Sequence, residues 1–163
     1  MKNILFILAA LFISLTVKAQ LKKTVACPVF KIDILEGILN DGLNPTSSAG
    51  EIKALFPCFT ETVEQTTGSK CAGVFYKDKD IYFYTGKNYI EIRQNFKGKL
   101  SLPLLGARRG STFNWLGYPK IKDVNWDAFK TKYGILILYY NKAGRINKLQ
   151  FSKKSTDTIQ LCE

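Results

Sequence analysis

Two stretches of the chain share one rhythm of apolar and polar positions. IYFYTGKNYIEI at 81–92 and ILILYYNKAGRINKL at 135–149 each place an aromatic-rich apolar run before a short Gly-containing turn and a second alternating run. Alternation at period two, interrupted by turn residues, is the pattern of an antiparallel hairpin. Around the first copy, CAGVFY (71–76), the polar KDKD, IYFYT (81–85) and YIEIRQNF (89–96) predict a three-stranded meander. FTETVEQ (59–65) adds a fourth strand ahead of it, with TTGSK as the turn between them. Around the second copy, VNWDAF, GILILYY (134–140), the turn NKAG and RINKLQFS (145–152) predict another set of strands.

Helical spacing is confined to short pieces. In DILEGILNDG, Ile32, Leu35, Ile38 and Leu39 recur at three and four residues, predicting a short helix stopped by Gly42. Ser48 and Glu51 fit a capping box before IKALF and Pro57, predicting a helix over 48–56. GSTFNWLGYP (110–119) reads as a short helix or tight turn closed by Gly117 and Pro119, and residues 97–110 read as a Gly-rich basic connector. Each round therefore runs from a short capped element through a proline to a meander. The predicted class is α+β, with short helices packed on an antiparallel sheet in two tandem related units, residues 20–97 and 98–163.

The N-terminus changes the setting rather than the fold. MKNILFILAALFISLTVKAQ has one early lysine, an apolar run shorter than the ~20 residues that span a bilayer, and small residues before Gln20. This predicts a signal peptide over 1–19, export to a periplasm or beyond, and a mature chain without a transmembrane segment. No Cys follows the apolar run, so lipid attachment is not indicated. Cys27, Cys58, Cys71 and Cys162 form an even set suited to an oxidising compartment. Three connectivities are open, and the local Cys58–Cys71 loop with Cys27–Cys162 fastening the ends is the favoured one. Charge then separates the halves. Residues 20–97 carry 10 basic and 9 acidic side chains, and residues 98–163 carry 12 and 4, which points to an anionic partner for the second half.

Candidate chemistry is sparse. The chain has no His, the commonest general base and metal ligand, and no nucleotide or nucleophile-elbow fingerprint. No cofactor or metal site is expected. Asp78 and Asp80 are the closest carboxylate pair, but alternation with lysines in KDKD suits a solvated turn. Glu61 with Glu64, or Asp123 with Asp127, offers nothing better. The aromatics are stronger candidates. Ile81 and Phe83 point to one side of their strand and Tyr82 and Tyr84 to the other, where Tyr76 and Tyr89 are expected to join them beside Glu91 and Arg93. That arrangement predicts one face buried under helices and a tyrosine-rich face open to water. A tyrosine ladder can also serve the sheet alone. Arg108 and Arg109 in the connector are candidates for gripping an anionic partner, whereas Trp115 and Trp126 read as packing residues.

The stretch G-S-T (110–112), L-G-Y-P (116–119), Trp126 and LILYYNKAGRI (136–146) resembles the superfamily of small outer-membrane assembly lipoproteins and β-lactamase inhibitory proteins. Ser48–Pro57, Cys58, Cys71 and the 71–96 meander look like a first unit, and residues 110–152 like a second. The stretch between Thr112 and Gly117 is too short for that family's full helix, and the second unit lacks its own cysteine pair. The resemblance implies two short helices on an antiparallel sheet and a binding protein rather than a catalyst. The sequence reading is thus an exported, non-enzymatic protein-binding module. In its sharpest form it inhibits an enzyme or neutralises a toxin by steric occlusion through the aromatic sheet face. Its partner is a protein, of acidic character where the basic half meets it. The alternatives are a binder of anionic envelope material such as peptidoglycan or lipid phosphate, and a carboxylate-dependent hydrolase. Export argues against nucleic acid as the partner.

Overall fold

The computed structural model describes residues 26–40, 42–64 and 71–162; the expected leader and the TTGSK turn lie outside the described residues. Burial at period two begins earlier than expected, because Phe30, Ile32 and Ile34 are all buried. The segment expected to be a helix is instead a hairpin of β1 (Lys31–Asp33) and β2 (Ile38–Leu39). Turn chemistry decides this. The Asp33 carboxylate accepts the amides of Leu35 and Glu36 at 2.9 and 3.2 Å, and Gly37 sits at φ +65°. A Cβ at Gly37 would lie 2.6 Å from the Tyr133 ring, so a side chain has neither the conformation nor the space. Leu35 and Ile38, placed inside by the helical reading, are 42% and 41% exposed.

The second helical expectation holds. Helix α1 (Ala49–Leu55) opens with the capping box: Ser48 Oγ accepts from Glu51 N, and Ser48 N donates to Glu51 Oε2 at 2.7 Å. Those donors hold the Glu51 carboxyl below its usual value. Ile52 is the buried residue of α1, and Phe56 follows it into the core.

Next come β3 (Glu61–Val63), β4 (Gly73–Tyr76), β5 (Ile81–Tyr84) and β6 (Tyr89–Arg93), an antiparallel meander as the sequence predicted. The connector contains β7 (Lys99–Leu100), which pairs parallel to β1. It was not anticipated, since two residues carry no readable period. A one-turn helix α2 (Phe113–Leu116) leads to β8 (Ile121–Lys122), β9 (Trp126–Lys130), β10 (Ile135–Tyr140) and β11 (Ile146–Ser152). The eight longer-range strands form one antiparallel sheet in the order β3-β4-β5-β6-β11-β10-β9-β8. The last strands of the two meanders thus pair with each other, Arg93 to Tyr89 opposite Lys148 to Ser152.

The inner face of this sheet supplies Val74, Tyr76, Phe83, Ile92, Leu138 and Phe151 to a core covered by β1, β2, α1 and Leu104. Phe30 sits at its aromatic centre, 4.1 Å from the Phe56 ring in a stacked pair and 5.0 Å from Tyr76 edge-on. Fully burying side chains of this size contributes ~1.5–3 kcal/mol each. Among the described residues no helix is long and apolar enough to cross a membrane.

The disulfide pairing differs from the favoured one: Cys27 bonds Cys58, and Cys71 bonds Cys162. Sequence proximity favoured Cys58–Cys71. The β3–β4 pairing instead leaves Cys58 beside the Phe30–Phe56 cluster and Cys71 at the far end of β4. Two structural cystines belong to an oxidising compartment. The Cys27–Cys58 and Cys71–Cys162 bridges span sequence separations of 31 and 91. Loop-closure entropy predicts that paired serine replacements cost ~3.5 and ~4.5 kcal/mol respectively. Urea midpoints of the two double variants check the ranking.

Candidate functional site

The sequence-predicted partner residues separate into three places. Tyr76 is the correction. It is fully buried on the inner face, where its hydroxyl donates to the Phe56 carbonyl at 2.6 Å. The register explains the difference, since Tyr76 stands directly opposite Ile81 and cross-strand partners share a face. Burial pushes its phenol pKa well above the ordinary value.

Tyr82, Tyr84, Tyr89 and Arg93 do gather on the outer face, but that face is not an open tyrosine surface. Tyr82 is 8% exposed and Tyr89 is 0%. The Arg93 guanidinium lies 4.2 Å from the Tyr82 ring centroid, and Tyr84 stacks on Tyr89 at 4.5 Å. At the β6–β11 seam the buried Glu91 carboxylate accepts from Arg93 Nε at 2.6 Å and from Gln150 Nε2 at 2.6 Å. Gln150 Oε1 in turn accepts from the Tyr139 hydroxyl at 2.7 Å, and Lys148 Nζ lies 4.0 Å from the Tyr139 ring. Glu91 is thereby satisfied on both oxygens, as a buried carboxylate must be. Arg93 and Lys148 remain accessible on this face, their side chains 46% and 32% exposed, beside the half-buried Tyr84 and Tyr139.

The C-terminal tail closes the rest of the outer face. Ile159 and Leu161 pack on Ala128, Ile135 and Ile137 across a cavity of about 340 Å³. Lys87 Nζ holds Gln160 at 2.7 Å, the Cys162 amide donates to the Tyr89 hydroxyl at 2.9 Å, and the Cys71 bridge secures the end.

Arg108 and Arg109 lie elsewhere, near β8 and α2. Arg109 donates to Asp127 through both Nε and Nη2, and to the carbonyls of Val124 and Asp123. Its guanidinium also covers the Tyr140 ring at 4.9 Å, and the Tyr140 hydroxyl donates to Asp127 at 2.8 Å. The bonds to Asp127 hold Arg109 firmly protonated. Arg109 thus fastens the β8–β9 turn to the loop before α2, and its donors are spent within the fold. Arg108 is exposed, and its backbone bridges Arg145.

What Arg109 positions is a feature the sequence reading missed. Residues 113–124 carry Phe113, Trp115, Tyr118, Ile121 and Val124 at 47%, 42%, 84%, 37% and 83% exposure. Trp115, read from the sequence as a packing residue, belongs to this edge. Phe113 and Tyr118 meet edge-on at 4.6 Å and border a cavity of about 480 Å³ that also contacts Gly117, Lys122 and Asp127. Gly117 at φ +68° ends α2 after a single turn, so its aromatics cannot fold back onto a core. The signal was present in FNWLGYP: large apolar residues with neither a helical nor a strand period.

Asp78 and Asp80, the closest carboxylate pair in the sequence, both have structural partners. Asp78 pairs with Lys79 at 2.9 Å, and Asp80 accepts the Asn95 amide at 2.9 Å. Among the described residues no group of three or more His, Cys, Asp or Glu is placed to hold a metal ion. Comparison with protein-family models, curated proteins and solved structures finds no match.

Two outcomes follow from this geometry. Burial raises the phenol pKa of Tyr139 to about 12 and shifts Tyr82, Tyr84, Tyr89 and Tyr140 upward as well. A raised folded-state pKa stabilises the fold fully below the unfolded value of about 10, and that contribution is lost as pH rises through the folded value. In a Tyr118→Phe background, which removes the 84%-exposed tyrosine, phenolate absorbance should therefore rise together with loss of structure between about pH 10 and 12, rather than ahead of it. Glu91→Ala should cost about 2 kcal/mol, because it strands Gln150 and unpairs a half-exposed Arg93. Denaturant titration measures the loss.

Proposed function

We propose that this chain is an exported protein-binding module of the inhibitor or toxin-neutralising type, acting by steric occlusion without catalysis. The observation that carries the reading is the aromatic edge at 113–124, where Tyr118 and Val124 are more than four-fifths exposed beside Phe113 and Trp115. Large rigid aromatics held in water by a fixed loop are the residue types that dominate protein interfaces. The Arg109–Asp127 pair supports this role by holding the loop in place before a partner arrives, which lowers the ordering cost of binding. The sheet face expected to dock contributes at its margins, through Arg93 and Lys148.

Two features support the finer parts of the proposal. The strand order pairs a four-stranded meander with a second one through their last strands, as expected of tandem related units. The basic excess of residues 98–163 favours an acidic partner and speeds encounter with it.

The test uses the oxidised, exported protein as bait for the envelope and secreted proteins of the cell that produces it, at low and high salt. The native protein is expected to retain one dominant protein at high salt. Trp115→Ala with Tyr118→Ala should weaken that retention by at least ~30-fold, the loss of a typical hot spot. Both side chains are exposed, so the variant should unfold at the native midpoint. Equal retention by native and variant proteins would remove the edge from the interface. Complete release by salt would favour a polyanion binder instead.

A further inference from the structure

We propose that the cleft between the β9–β10 turn and the segment after β11 binds a phosphate group carried on a small organic moiety. The site adjoins the aromatic edge through Lys120 but does not rest on the protein-binding reading. Lys120, Lys130, Lys132 and Lys153 all line one cavity of about 330 Å³, and no carboxylate lines it. Lys132 reaches Glu36 at 3.1 Å in a pair exposed to solvent on both sides. Lys120, Lys130 and Lys153 have no carboxylate within 4.0 Å among the described residues. Four lysines lining a concavity with no carboxylate among its lining residues give it a positive field that an anion would relieve.

The cleft is built rather than incidental. Gly134 presses the turn onto the strand beside it, and a Cβ there would fall 2.3 Å from the Ser152 carbonyl and 2.7 Å from the Lys153 backbone. Only glycine allows that approach, which sets the turn carrying Lys132 against the segment that carries Lys153. The turn is closed by Thr131 N donating to Gly134 O at 3.0 Å and Gly134 N donating to Thr131 Oγ1 at 3.1 Å. On the opposite wall, Lys120 Nζ donates to Thr156 Oγ1 at 3.1 Å, and that hydroxyl donates to Asp157 at 3.1 Å. Asp157 therefore sits behind the wall and does not line the cavity.

The lining selects the ligand's chemistry. Ammonium groups with hydroxyls from Thr131 and Ser155 suit an anion with several acceptor oxygens, such as a phosphate. The cavity is larger than a phosphate ion and leaves room for a substituent on it. Two sources share this chemistry: a soluble phosphomonoester and a lipid phosphate headgroup. Tyr118, 84% exposed and two residues before Lys120, would meet the bilayer interface only in the second case.

The experiment titrates the full oxidised protein with glycerol phosphate by calorimetry. In parallel it measures flotation with phosphatidylcholine vesicles with and without phosphatidic acid. Native protein should saturate with one of these probes, and Lys130→Glu with Lys153→Glu should weaken binding at least tenfold. Lys97→Glu with Lys142→Glu makes the same charge change outside the cleft and should leave binding within twofold. Saturation with glycerol phosphate assigns a soluble ligand, and binding confined to phosphatidic acid vesicles assigns the lipid source. Absence of binding to both probes, or equal weakening by the two charge-matched variants, would overturn the proposal. Matching unfolding midpoints for the two variants exclude a folding defect as the cause of a difference.

Discussion

The pairing of β6 with β11 is the constraint on which the rest of the molecule depends. It joins the last strands of the two meanders, and each of its faces does a different job. Toward the core, Ile90 and Ile92 meet Leu149 and Phe151, all essentially inaccessible to water. Toward the outside, Glu91 meets Gln150 in a hydrogen bond between buried side chains. A slip of one residue would send the aliphatic set outward and bury Glu91 and Gln150 in the core. A slip of two residues would keep both faces but part Glu91 from Gln150, so the polar pair specifies register where apolar contact alone would tolerate an alternative.

The N-terminal hairpin and the C-terminal tail then close the sheet from opposite sides. Phe30, Ile32 and Ile34 cover the inner face, and the bridge from Cys27 to Cys58 ties that cover to the end of α1. Ile159 and Leu161 cover the outer face over β9 and β10, and the bridge from Cys71 to Cys162 ties them to the opposite meander. Each disulfide therefore secures a segment too short to hold its place by burial alone. This is the usual service of cystines in small exported domains.

Seen from its surfaces, the molecule keeps its reactive-looking groups occupied and its adhesive ones exposed. Arg109, Asp127, Glu91 and Asp80 are all engaged within the fold. Aromatic side chains at 113–124 and lysines around the β9–β10 turn are what solvent meets. In the proposed binding role, preorganised surface matters more than a perturbed titrating group.

The chain by itself determined the longer strands of the two meanders, the capped helix at Ser48 and the hairpin turns between those strands, because each depends on neighbours within a few residues: alternation, a Ser–Glu cap, or a Gly or Asn at a bend. It also determined the uneven charge and the even set of cysteines. What it left open depended on long-range register. Ile32 to Leu39 satisfied a helical period on paper, yet the Tyr133 ring against Gly37 and the buried run Phe30, Ile32, Ile34 made it a hairpin. Tyr76 changed faces because a four-residue turn sets it opposite Ile81. The cysteines chose distant partners for the same reason, since sheet order brings Cys71 to the tail and Cys58 to Phe30. The lysine cleft was likewise invisible in the chain, and of the aromatic edge only the unperiodic run FNWLGYP gave a sign. Exposure of an aromatic and convergence of lysines depend on what the remaining residues cover, and only packing decides that.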